Sequence, residues 1–217
     1  MYGLDKKRRQ KSKKEKAMKK LALMLTLVVS LLLWGMPATA AQDPQSVIQT
    51  CTDQIVKILE QYPQDTHTRR QQIQAVVDKC VDSEAITRLA AGHQWKSLPP
   101  EKQQEFTEEF SKLLFNTYIE DLEKYARENF TYTQRSVYQG YVVVNARIKG
   151  ENGAISLDYF LHLRDGEWKV YDVGVAGTSL VMNYRNQFDS ILANGSFDDL
   201  SIVLKRRLAQ LCGSNHC

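Results

Sequence analysis

The chain has little from which an active site could be built. Its four histidines, His67, His93, His162 and His216, have no partners at metal-ligand spacing. There is no nucleophile elbow, no phosphate-binding glycine loop and no zinc-protease helix. Gly177-Thr178-Ser179 comes nearest to a serine site, but it lacks the second glycine of an elbow, and turn and capping chemistry accounts for it. Asp158 and His162 lie four apart on a predicted strand and so share a face, but Arg164 lies there too and a solvated surface explains all three. The expectation is a protein that is not an enzyme. Repeats and low-complexity tracts are lacking beyond residue 40.

A net positive charge is also largely lacking, despite a formal +4 for the 217 residues. Residues 1–40 hold 10 basic and 2 acidic residues, which leaves 19 basic and 23 acidic, near −4, for the rest. Nucleic acid is therefore not an expected partner. The N-terminal stretch reads as a basic leader with a signal peptide. Basic residues end at Lys20, Leu21 to Met36 is almost wholly apolar, and Ala38-Thr39-Ala40 forms a small-x-small cleavage site. Residues 1–40 are thus expected to be cleaved, with translation starting at Met1 or Met18, and residues 41–217 to form a single exported domain. The alternative is an uncleaved anchor, although the apolar run is short for a span of roughly 20 residues.

Export makes the few cysteines legible. Cys51 and Cys80 sit almost symmetrically about the turn signal Tyr62-Pro63-Gln64-Asp65-Thr66. Residues equidistant from the turn of a helix hairpin face each other, so a Cys51–Cys80 disulfide is geometrically reasonable. Cys212 and Cys217 could close a small C-terminal loop. Four free thiols, or a metal held by Cys212, His216 and Cys217, are the alternatives.

Helical spacing begins at Asp43 with Val47, Ile48, Cys51, Ile55, Ile58 and Leu59, and Pro63 ends it. Ile73, Val76, Val77 and Cys80 mark a second helix; Asp82 or Ser83 caps a short third one ending at Gly92. Pro99 and Pro100 open the longest helix, whose stripe is Phe106, Phe110, Leu113, Leu114, Ile119, Leu122 and Tyr125. Four strands follow over 130–138, 141–149, 154–164 and 167–173, separated by Gly-containing turns. In the third, Ile155, Leu157, Tyr159, Leu161 and Leu163 share a face. Gly174 and Gly177 permit a reversal, Thr178 or Ser179 caps a closing helix to about Ala193, and Ser196 caps a last one. Its Lys205, Arg206 and Arg207 read as a solvated face or, alternatively, a headgroup contact. Helices first and an antiparallel meander after them make an α+β domain.

Several segments, in order, resemble the MlaC family of periplasmic phospholipid carriers, also called the toluene-tolerance family. They are Ala91-Gly92-His93-Gln94-Trp95-Lys96 with the long helix after it, Gly166-Glu167-Trp168-Lys169-Val170-Tyr171-Asp172-Val173, and Ser179-Leu180-Val181-Met182-Asn183-Tyr184-Arg185 with Phe188 following. Many relatives carry an acidic residue and a glycine before the Ser-Leu-Val run, where this chain has Ala176-Gly177-Thr178. The resemblance implies N-terminal helices on a curved antiparallel meander, a nuclear transport factor 2-like cone, with two C-terminal helices. It implies a periplasmic carrier with no cofactor, holding phospholipid as cargo. The partners it implies are an inner-membrane ABC transporter with its substrate-binding ring and an outer-membrane lipoprotein–porin complex, in maintenance of outer-membrane lipid asymmetry. Another apolar cargo such as a hopanoid, or a non-catalytic adaptor role, is the alternative.

Burial of two acyl chains of about 16 carbons is worth over 20 kcal/mol, so an apolar cavity suffices and no chemistry is required. The expected wall is Val142, Val144, Leu157, Tyr159 and Leu161 from the strands and Leu114 and Tyr118 from the long helix. Leu180, Val181 and Tyr184 complete it from the closing helix. The long-helix stripe is otherwise read as core. Arg185 is either a headgroup-side contact or part of a surface ion pair.

Overall fold

The computed structural model describes residues 42–138, 140–150 and 153–215. The leader and cleavage site, Gln139, the Glu151-Asn152 turn, His216 and Cys217 lie outside the described residues.

Helix α1 (Pro44–Gln61) starts where Asp43 accepts a hydrogen bond from the Ser46 N–H, with a proline in the first turn. Helix α2 (Thr66–Cys80) is capped the same way by Asp65 and Thr68. A Cys51–Cys80 disulfide closes the α1–α2 hairpin, as the near-symmetric spacing about the Tyr62–Thr66 turn predicts. Asp82 caps α3 (Ser83–Ala91), which ends at Gly92 in a positive-φ conformation and runs into a 3-10 turn (Gly92–Ser97) that buries Trp95. Helix α4 (Pro100–Tyr125) buries Phe106, Phe110, Leu113 and Ile119.

The sheet is an antiparallel meander of β1 (Phe130–Tyr138), β2 (Tyr141–Gly150), β3 (Gly153–Arg164), β4 (Glu167–Val175) and a two-residue β5 (Thr178–Ser179), in that spatial order. Register aligns Val142, Val144, Ala146 and Ile148 of β2 with Leu161, Tyr159, Leu157 and Ile155 of β3. On β4, Val170, Val173 and Val175 oppose Leu161, Tyr159 and Leu157. The shift between Val170 and Val173 is a bulge that leaves Tyr171 without a cross-strand partner; bulges of this kind bend and twist a sheet. Helix α1 packs on this face through Ile48, against Val142, Val144, Leu161 and Val170. The free edge of β4 is covered by Val81 and by the Asp82 N–H, which donates to the Val170 carbonyl.

The passage from sheet to closing helix differs from the expectation in one respect. The reversal is a tight turn at Ala176 (φ 49°) and Gly177 (φ 81°), which lets β5 pair with β4 before the helix begins. Gly174 does not turn the chain. It lies within β4, where a Cβ would stand 3.3 Å from that of Asp158, so its smallness serves close packing. Ser179 then caps α5 (Leu180–Leu192) at the Met182 N–H. Ser196 and Asp199 form a reciprocal cap at the start of α6 (Phe197–Asn215), which runs past the expected stripe. The α+β arrangement of helices, meander and two closing helices matches the expectation. No helix of the described residues is long and apolar enough to cross a membrane.

The Asp158, His162 and Arg164 face is not merely solvated. Asp82 is 5 % exposed, and its carboxylate lies 2.9 Å from His162 Nε2 and accepts from Arg164 Nη1 at 2.6 Å. Two residues of β3 thus fix the start of α3. The long sequence separation hides this contact from pattern reading.

Candidate functional site

The buried apolar residues form three clusters rather than one. The first joins α3, α4, α5 and α6 around Phe106, Phe110, Phe188 and Leu200. The second joins α1, α2 and α4 around Ile55, Ile73 and Ile119. The third joins Ile48 of α1 to the inner sheet face at Val142, Val144, Leu161 and Val170. A single core of interdigitating side chains is the ordinary solution for a domain of this size. Here partly buried apolar residues border the clusters instead.

The expected wall residues divide accordingly. Val142, Val144 and Leu161 are packed tightly in the third cluster, with Val144 and Leu161 at 0 % exposure. Val181 and Tyr184 are buried in the first cluster; the Tyr184 ring meets Phe110 edge-on at 5.0 Å. By contrast, Leu114, Tyr118 and Leu180 are partly buried against the first cluster, and Tyr159 against the third. Leu157 is also partly buried and belongs to none of the three.

Three further residues share the Leu157 face. Ile155 and Val173 are partly buried, and Val175 is 44 % exposed. Strand alternation marks Ile155. It loses phase on β4 because the Tyr171 bulge inserts a residue, so Val173 and Val175 are not legible as inward-facing.

Polar groups on these walls are few and are mostly phenols. Burial, with a hydrogen bond and proximity to Tyr184, pushes the Tyr118 hydroxyl up to about 12. Burial also raises Tyr159 far above the ordinary phenol range, with Tyr132 adding to the effect. Tyr132 itself is raised by burial, and its hydroxyl lies 3.5 Å from Thr52 Oγ1.

Arg185 forms an ion pair with Asp189, as one of the two expectations has it, and donates from Nη1 to the Leu89 carbonyl at 3.0 Å. It thereby ties α5 to the C-terminal turn of α3. Ser179 donates to Asp172, whose carboxylate also accepts the Val173 and Val181 N–H groups, so Asp172 and Ser179 together anchor α5 to β4. Among the described residues no group of three or more acidic, histidine or cysteine side chains is arranged to hold a metal. Cys212 lies in the last turns of α6, and its expected partner Cys217 is outside the described residues.

An antiparallel meander with α1 packed on its inner face, closed by the two helices that follow it, is a fold of the α+β class. The chain belongs to the MlaC protein family, whose model matches residues 45–206. It is 28 % identical over 184 residues to the toluene tolerance protein ttg2D of Pseudomonas putida, covering 81 % of this chain and 86 % of that one. It is 23 % identical over 203 residues to the intermembrane phospholipid transport system binding protein MlaC of Haemophilus influenzae, covering 89 % and 95 %. Its fold is similar to that of a phospholipid-binding protein from Ralstonia solanacearum solved in complex with a phospholipid. The TM-score there is 0.70 at 29 % identity, over 79 % of this chain and 99 % of the other.

Proposed function

We propose that this protein is a periplasmic carrier that holds the acyl chains of a glycerophospholipid and moves the lipid between outer- and inner-membrane transport complexes. The observation that carries this reading is the division of the apolar interior into three clusters bordered by half-buried apolar side chains. Leu157, Tyr159, Leu114, Tyr118 and Leu180 are the direct lipid contacts in this reading, with Ile155, Val173 and Val175 extending the sheet wall. Val142, Val144, Leu161, Val181 and Tyr184 stand behind them as packed support. Arg185 holds the closing helix in place rather than a headgroup.

The Ralstonia relative, bound to a phospholipid, and the Haemophilus relative, named for intermembrane phospholipid transport, support the cargo class. Two surface clefts are poor alternatives. One, of about 210 Å³, is crossed by the Lys102–Asp198 ion pair, and the other, of about 380 Å³, is lined largely by charged residues including Asp82, Arg164 and Lys169. At about 30 Å³ per water-sized group, neither holds two long chains. The implied partners are the inner-membrane ABC transporter with its substrate-binding ring and the outer-membrane lipoprotein–porin complex. Residues 1–40 serve as the cleaved export signal and 41–217 as the carrier domain, which needs no cofactor and carries out no catalysis.

The test is transfer of a fluorescent phospholipid from donor to acceptor vesicles that cannot fuse. The reading predicts that the protein extracts and delivers lipid. Failure to accelerate transfer and to retain lipid would contradict it.

A further inference from the structure

The tyrosines near the inner sheet face are not equivalent. Tyr118 lies beside Tyr184, which helps to raise its phenol, and the Tyr132 hydroxyl approaches Thr52. Tyr159, between Val144 and Val173 at the centre of the sheet, has no hydrogen-bond partner among the described residues. Buried phenols usually find a partner, and one left without costs stability. The hydroxyl is not sealed in, however. Glu109 Oε2 is the one fully enclosed side-chain oxygen or nitrogen without a partner among the described residues, so the equally unpartnered Tyr159 oxygen keeps accessible surface. Protein surrounds the ring closely enough to disfavour its ionised form strongly. A donor with no protein acceptor and some accessible surface is free to serve a bound molecule.

Acyl chains supply no acceptor; the ester carbonyls that join them to glycerol do. Resting on the phospholipid-carrier reading above, we propose that Tyr159 donates its O–H to an ester carbonyl of the cargo, so that the cavity distinguishes ester-linked lipids from ether-linked ones. This sets the depth of the glycerol backbone along the sheet, which methylene burial alone cannot do. An ether-linked lipid of equal chain length buries the same methylenes but lacks the carbonyl. A neutral hydrogen bond of ordinary strength corresponds to about a 2- to 12-fold difference in affinity.

The experiment measures displacement of a fluorescent phospholipid by matched diacyl and dialkyl phosphatidylethanolamines, for the wild-type protein and Tyr159→Phe. The wild type should prefer the diacyl lipid by about 2- to 12-fold. Tyr159→Phe should lose the preference, its affinity for the diacyl lipid falling to that for the dialkyl one. Its lipid-free Tm should be unchanged or higher, because the removed hydroxyl has no protein partner. No preference in the wild type, a preference that survives in Tyr159→Phe, or a lowered lipid-free Tm would each overturn the proposal while leaving the carrier reading intact. Binding of neither lipid by the wild type would overturn both.

Discussion

Leu157→Trp separates a cavity wall from a core. Leu157 is partly buried, flanked across the sheet by Ala146 and Val175, and packed into none of the three apolar clusters. On the carrier reading, an indole at this site occupies volume that lipid would otherwise fill. It excludes roughly two to three methylenes of cargo, each worth about 0.8 kcal/mol, so lipid affinity should fall about 15- to 60-fold. Stability to denaturant should change by less than about 1 kcal/mol, as for a substitution outside the packed core. Leu161, four residues along the strand on the same face and 0 % exposed, provides the contrast. Leu161→Ala should cost about 2–5 kcal/mol of stability, because it opens a hole among Ile48, Val142 and Val170. Both variants are read by fluorescent-lipid displacement and by urea denaturation. If Leu157→Trp destabilises the protein like an overpacked core and leaves affinity unchanged, the reasoning from the three clusters fails.

Other expectations follow from contacts away from the cavity. Gly92 has φ 72°, and a Cβ there would lie 2.4 Å from Arg185 Cζ, so Gly92→Ala should cost about 1–2 kcal/mol from backbone strain plus the loss of the Arg185 contacts. Adding Arg185→Ala should relieve only the steric part, as measured by a double-mutant cycle in urea. Burial pushes the Asp82 carboxyl up, but the Ala85 N–H and the Arg164 guanidinium outweigh it and hold the folded pKa below the usual carboxylate range. A depressed folded pKa gives stability that is present above the unfolded value near 3.9 and lost as pH falls through the folded one. Wild-type stability should therefore decline below about pH 4, and Asp82→Asn should flatten that decline in pH-dependent denaturation. The Cys51–Cys80 bridge spans 29 residues, so replacing both cysteines by alanine should lower stability by about 3–4 kcal/mol on the chain-entropy account. Guanidinium denaturation checks this value.

Local patterns made most of the fold legible. Asp82 and Ser179 each cap the helix their position announces, and Asp165-Gly166 turns β3 into β4. Features that depend on register or distance were not legible. The Tyr171 bulge changes which β4 residues face inward, the Ala176-Gly177 turn creates β5, and Asp82 meets Arg164 across more than eighty residues. For the candidate site, the strand and helix stripes name the inward positions. Periodicity cannot separate Val144, sealed in a cluster, from Leu157, which is not, because both are apolar residues at inward positions. Only the packing between elements makes that division.

The central claim is that the domain holds a phospholipid, and native mass spectrometry tests it most directly. The protein, purified without added lipid, should carry one two-chain phospholipid per molecule, and the adduct should weaken in Leu157→Trp. A protein of bare polypeptide mass that also takes up no phospholipid from vesicles would contradict the account.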